Sequence, residues 1–192
     1  MQVDYAVELG RDDETLEFPW AGTEGGPRYY DLKRHPEELP HIQEAVRFPE
    51  LGEFLAVINS PSASLESAKC DAWASEEISP EEEIFEARWK FGSYVDLLFS
   101  EPAARFSFDG HEEFLKRIAV LLGRAPEIPA SAEFLLRRCY FHEHENLREG
   151  FYMTFYLFGY GEDETKARQQ WAIALKLAGN AFAQVYFRNP AL

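Results

Sequence analysis

Polar and apolar residues alternate from the start of the chain. Val3, Tyr5, Val7 and Leu9 fall on one side of a period-two pattern, with Asp4 and Glu8 on the other, as in a half-buried strand. GRDD at 10–13 has turn chemistry, and Leu16, Phe18 and Trp20 then alternate again, so the first twenty residues predict a β-hairpin. The period then changes. HPEELPHIQEAVR at 35–47 has Pro36 and two glutamates where a helix begins. Leu51, Phe54, Leu55 and Ile58 follow at i, i+3, i+4 and i+7, one apolar helical stripe.

The next segments alternate between the two periods. Ala68, Cys70, Ala72 and Ala74 share one face of a strand, with Trp73 on the other. Phe85, Ala87, Trp89 and Phe91 predict a second strand, with a bulge or bend expected at Gly92 before it continues through SYVDLLF. FDGHEEFLKRIAVLLG at 108–123 predicts a helix, with Asp109 and Glu112 at capping-box spacing and Gly123 as its stop. Strands over 132–144 and 150–160 precede a helix from Asp163, in which Ala167, Trp171, Ala174, Leu175 and Ala178 keep helical spacing. The expected fold is a single α+β domain over 1–192. It has a largely antiparallel sheet built from β-hairpins, with helices packed on one face in ββα units.

Register decides what the last hairpin offers. Pairing Leu135, Cys139 and Phe141 with Phe151, Met153 and Phe155 as the core face requires an odd-length turn such as Asn146-Leu147-Arg148. Arg138, Tyr140, His142, His144, Tyr152, Thr154 and Tyr156 would then share a polar, aromatic outer face. Arg138, Tyr140, His142, His144, Tyr152 and Tyr156 are the candidate ligand- or partner-binding residues, since Tyr and Arg often anchor interfaces.

His142 and His144 at alternate positions raise the question of a metal. The segment HEHENLRE at 142–149 contains H-x-H-x4-E, a fragment resembling the metal-binding pattern of cupins. The glycine that precedes it in cupins is absent, and several helices do not suit a jelly roll. In the expected register Glu143, Glu145 and Glu149 point away from the two histidines, and two ligands fall short of the three protein ligands of a catalytic zinc site. No metal site, cofactor or catalytic residue is assigned. Asp96, set between Val95 and Leu97, is a candidate for a perturbed acid if buried. Cys139 is expected to be buried and inert.

Charge narrows the partners. The chain carries a formal −15, and residues 1–100 hold 22 acids against 8 bases. Phosphate contacts need clustered Lys and Arg, so nucleic acid and anionic membrane are excluded as expected partners. Two cysteines without CxxC spacing and no signal-peptide pattern point to the cytoplasm. The expected function is a non-enzymatic, cytoplasmic protein-binding module whose acidic surface engages a basic partner, or a second copy of the chain. In charge it resembles inhibitor or immunity-type proteins that cap a basic toxin. The alternative is a small-molecule-binding protein or enzyme with a cleft beside the 132–160 hairpin.

Overall fold

Six strands hydrogen-bond into one sheet: β1 (Gln2–Glu8), β2 (Thr15–Phe18), β3 (Leu65–Ser75), β4 (Trp89–Phe99), β5 (Ala130–Glu143) and β6 (Asn146–Gly161). The computed structural model describes residues 1–20, 28–143 and 146–185. The strand order is β1-β5-β6-β4-β3, with β2 continuing beyond β1 along the same edge of β5. The β3–β4, β4–β6 and β5–β6 pairs are antiparallel, whereas β1 and β2 run parallel to β5.

The expected N-terminal hairpin therefore does not form. β1 and β2 are two pieces of one edge, with residues 9–14 looping out between them. In that loop Asp13 accepts from the Gly10 N–H at 2.5 Å, which kinks the chain without reversing it. Parallel pairing sets Val3, Tyr5 and Val7 beside Ala132, Phe134 and Leu136, apolar beside apolar. Burial on the long strand β5 outweighs the local turn signal.

Four helices cover one face: α1 (Gln43–Arg47), α2 (Pro49–Ile58), α3 (Phe108–Gly123) and α4 (Glu164–Phe182). The stripe Leu51, Phe54, Leu55 and Ile58 is wholly buried against the sheet, as are Phe114 and Ile118 of α3 and Trp171 of α4. Trp171 donates its indole N–H to Ser93 Oγ at 2.8 Å, so the one polar atom of that buried ring is satisfied. Close approach of α4 depends on Gly159, where an added Cβ would fall 2.5 Å from the Ala167 carbonyl oxygen.

Several boundaries differ from the sequence expectation. Pro36–His41 is a 3-10 turn, Pro40 having delayed the α-helix to Gln43. Pro80–Phe85 is also a 3-10 turn, closed by a Ser79–Glu82 capping box, and β4 begins only at Trp89. Ser107, not Asp109, caps α3 by accepting from the Gly110 N–H at 3.1 Å. Asp163 caps α4, which runs through Gly179 to Phe182.

The sheet's other face has two unlike halves. Towards the ends of β2 and β5 it buries a second apolar core of Leu16, Phe18, Leu98, Cys139, Phe141 and Tyr152 under Trp20, Tyr29 and Phe106. Arg105 enters this core, donating to Phe99 O at 2.8 Å and to the buried Glu66 carboxylate at 2.7 Å. Its guanidinium lies over the Phe18 and Phe141 rings.

Candidate functional site

The β5–β6 register differs from the expected one by an odd number of residues, three from a Phe141–Phe151 pairing and five from a Phe141–Met153 pairing. Phe141 stands opposite Arg148 and Glu143 opposite Asn146, so Asn146, Leu147 and Arg148 belong to β6 and not to an odd-length turn. Phe134 and Leu136 decide this. Both are wholly buried in the larger core opposite Phe155 and Met153, while Leu135, Cys139 and Phe141 serve the other face. Both sides of this hairpin carry buried apolar residues.

The expected polar face is split in consequence. Arg138, Tyr140 and His142 lie on the helix side, towards the far end of β5. Arg138 is held by Leu9 O at 2.7 Å and by Glu149 at 3.2 Å, and the exposed His142 Nε2 meets Glu17 at 3.2 Å. Tyr140 is half-buried opposite Glu149. Tyr152, 1% exposed, is part of the second core, and Tyr156 lies on the same face in the open half. His144 lies outside the described residues. Among the described residues no three His, Cys, Asp or Glu are grouped as metal ligands.

A different constellation comes together on that second face. The pairing registers align five residues across β1, β5, β6, β4 and β3: Asp4, Glu133, Tyr156, Tyr94 and Asp71. The next row along the strands is Gln2, Ser131, Phe158, Gly92 and Trp73. Two tyrosines are thus flanked by carboxylates, with an aromatic row beside them. The rings touch one another: Tyr94 and Tyr156 have centroids 5.9 Å apart, and Trp73 meets Phe158 edge-on at 6.2 Å. Gly92 makes this possible, since a Cβ there would stand 2.8 Å from the Phe158 ring and 3.2 Å from Trp73. It is a site of close approach, and β4 carries no bulge at that point.

A buried polar row separates this open band from the second core. Thr154 Oγ1 donates to Asp96 Oδ1 at 2.7 Å and accepts from Arg137 Nη1 at 3.3 Å. Arg137 also binds Glu8 at 2.8 Å and Glu14 at 3.1 Å, which fastens the looped-out 9–14 segment to the sheet. Burial works against the Arg137 charge, but its hydrogen bonds to Glu8 and Tyr156 raise its pKa above the ordinary arginine value. Asp96 is 4% exposed, and burial pushes its pKa up to about 6 against the lowering effect of the Thr154 hydrogen bond. The suspicion that the sequence raised about Asp96 is answered: it is buried and perturbed.

Charge in the band is compensated only in part, by Arg137 near Glu133. Asp4, Asp71 and Glu133 have no ion-pair partner among the described residues. Partial burial raises the Glu133 pKa, and the neighbouring Asp4 and Glu8 raise it further. Burial likewise holds the Tyr94 hydroxyl well above its ordinary pKa, with Asp96 and Asp71 adding to the effect. A positive charge arriving here would relieve repulsion that the fold leaves in place.

At the β3 end the band runs into a groove of about 690 Å³, lined by five consecutive β3 residues from Ser67 to Asp71 and by Tyr94. Its opposite wall comprises Trp20, Arg28, Tyr30 and residues 41–44. This groove lies at the edge of the sheet remote from β5, whereas the sequence had suggested a cleft beside the 132–160 hairpin. Cys70 lies in it with its thiol pKa pushed up to about 12 by burial and by Glu44, Asp71 and Asp96, so it is no nucleophile at neutral pH.

Sequence reading missed Asp4, Asp71, Glu133, Tyr94 and Trp73 as a group. Each sits on the polar side of its own alternating strand, but only the strand order brings them into line. No protein-family model, curated protein or solved structure matches the chain. No helix among the described residues is long and apolar enough to cross a membrane.

Proposed function

We propose that the protein is a binding protein that receives a cationic segment of a protein partner on the open half of its sheet. The observation that carries this reading is the band Asp4, Glu133, Tyr156, Tyr94 and Asp71 running across five strands. Its carboxylates supply charge complementarity to Lys and Arg. Its tyrosines, with Trp73 and Phe158 beside them, offer flat rings for cation–π contact and aromatic anchoring. A rigid sheet holds these groups in place, so little ordering cost falls on the protein when it binds. The formal −15 of the chain adds long-range attraction for a basic partner.

The test is a titration with octalysine followed by two-dimensional amide NMR. Shifts concentrated at Asp71, Tyr94, Tyr156 and Glu133 are expected, with affinity falling steeply between low and physiological salt. A D71N/E133Q double variant should bind about tenfold more weakly. Shifts confined to the acidic 76–86 turn, or an unchanged affinity in that variant, would overturn the reading.

A further inference from the structure

The edge strand β3 offers more than side chains. Ala72 gives its N–H to the Asp71 carboxylate at 2.7 Å, so its backbone turns away from β4. Strand backbone alternates, and Cys70 and Ala74 therefore turn outwards as well. Their outward N–H and C=O groups have no hydrogen-bond partner among the described residues. Elsewhere this edge is closed. The Ser67 N–H goes to Asn59 Oδ1 at 3.0 Å, Ala68 O accepts from the Trp20 indole at 2.9 Å, and the register shifts between Ser67 and Lys69. A bulge of this kind ends pairing on an edge. From Lys69 to Ser75 pairing with β4 is regular, and no strand among the described residues pairs with the outer side.

We infer that the cationic segment binds as an added β-strand along Cys70–Ser75. This rests on the function proposed above and specifies the form the partner takes. The groove of about 690 Å³ meets the start of this edge at Cys70 and Asp71, across from a wall that includes Tyr30 and His41. An added strand would point alternate side chains to the two faces of the sheet. One set falls beside Asp71 and Tyr94, at the end of the carboxylate band, and is the natural place for Lys or Arg. The other set falls on the helix side, where Cys70 and Ala74 are packed against the main core, and suits small apolar residues. Lys69, which could guard the edge, instead lays its ammonium 5.4 Å over the Trp20 ring. Main-chain hydrogen bonds to Cys70 and Ala74 give the affinity, and the carboxylate band gives the preference for positive charge.

The experiment uses an eight-residue peptide of alternating lysine and valine, with blocked ends, and two versions of it. One is N-methylated on every valine nitrogen and the other on every lysine nitrogen. In strand addition only one of these two sets of amides faces β3. One methylated peptide is therefore expected to bind at least tenfold more weakly than the parent, and the other to bind nearly as well. Amide exchange at Cys70 and Ala74 should slow at least tenfold in the parent complex. Equal affinity for all three peptides, with shifts on the band but no protection at Cys70 and Ala74, overturns strand addition and leaves the face-binding reading intact. No binding by any of the three, together with no binding by octalysine, overturns both. An A74P variant provides a second check: it removes an outward N–H without touching the β4 ladder, and should weaken the parent peptide at least tenfold, whereas undiminished binding overturns strand addition.

Discussion

Thr154 gives its hydroxyl hydrogen to Asp96 across the β4–β6 pair, 2.7 Å away, in the buried row between the closed and open halves of the sheet. That hydrogen bond favours the carboxylate, but burial outweighs it and leaves the pKa near 6. The sign of the resulting pH dependence follows. A pKa raised from 3.8 to about 6 means that the folded state retains a proton the unfolded chain has lost. The contribution of Asp96 to stability is fully present below pH 3.8 and disappears as pH rises through 6. At pH 7.5 the buried charge costs on the order of 3 kcal/mol. Asp96→Asn removes that charge and keeps an oxygen for Thr154. It should therefore stabilise the protein by about 2–3 kcal/mol at pH 7.5 and by almost nothing at pH 4, as measured by urea unfolding across that range.

His111 works in the opposite direction. Its ring is wholly buried between Phe99 and Phe151, and Nδ1 contacts Ser107 O at 2.7 Å, which makes Nδ1 the protonated nitrogen. Burial lowers its pKa from 6.5 to about 4. The unfolded chain therefore takes up a proton as pH falls below 6.5 while the folded protein does not. Stability drops through that interval by on the order of 3 kcal/mol, and levels off below pH 4. Asp96 masks this loss over much of the same range. In the Asp96→Asn protein the acid-side loss should stand alone, and unfolding should become markedly steeper in pH between 6.5 and 4. A flat profile there would show that His111 does not stay neutral in the folded state.

Gly159 bears directly on the helix layer. A methyl group at this position meets the backbone of α4 at Ala167 and Trp171, which cannot swing aside as a side chain would. Gly159→Ala should cost about 3 kcal/mol or more, because α4 must lift from the sheet and Trp171 loses its place over Phe91. Thermal unfolding measures the loss, and near-ultraviolet circular dichroism should lose the signal of the immobilised indole. Gly123→Ala provides the control, since nothing lies within 4 Å of a Cβ there.

Local rules carried a sequence reading a good distance. The stripe Leu51, Phe54, Leu55 and Ile58 and the start of the last helix near Asp163 could be read because helical burial and helix starts are set by residues within one or two turns. The α+β class could be read for the same reason. The edge formed by β1 and β2 could not, since alternation says which face a residue takes and not which strand lies beside it. The β5–β6 register failed on a specific ambiguity. Phe134 and Leu136 compete with Leu135, Cys139 and Phe141 for the core face, and all five are buried, Phe134 and Leu136 in the larger core and Cys139 and Phe141 in the second. The acid-tyrosine band was beyond reach for both reasons, since it requires the order of five strands and the right parity in each. The buried Asp96 was visible as an acid in an apolar run, but its partner Thr154 was not.

The parallel edge also sets an order of assembly. Glu8 and Arg137, joined by a hydrogen bond, stand 129 positions apart in the chain, while β5 and β6 are separated by two residues. Closing so long a loop costs conformational entropy that only a preformed β5 can repay through pairing and burial. The β5–β6 pair therefore comes together first, and the first eighteen residues zip onto it late. Opening of the same edge would take Glu8 and Glu14 away from Arg137 and uncover Leu16 and Phe18 of the second core. The N-terminal strands are a latch on a sheet that is built from its β5–β6 hairpin.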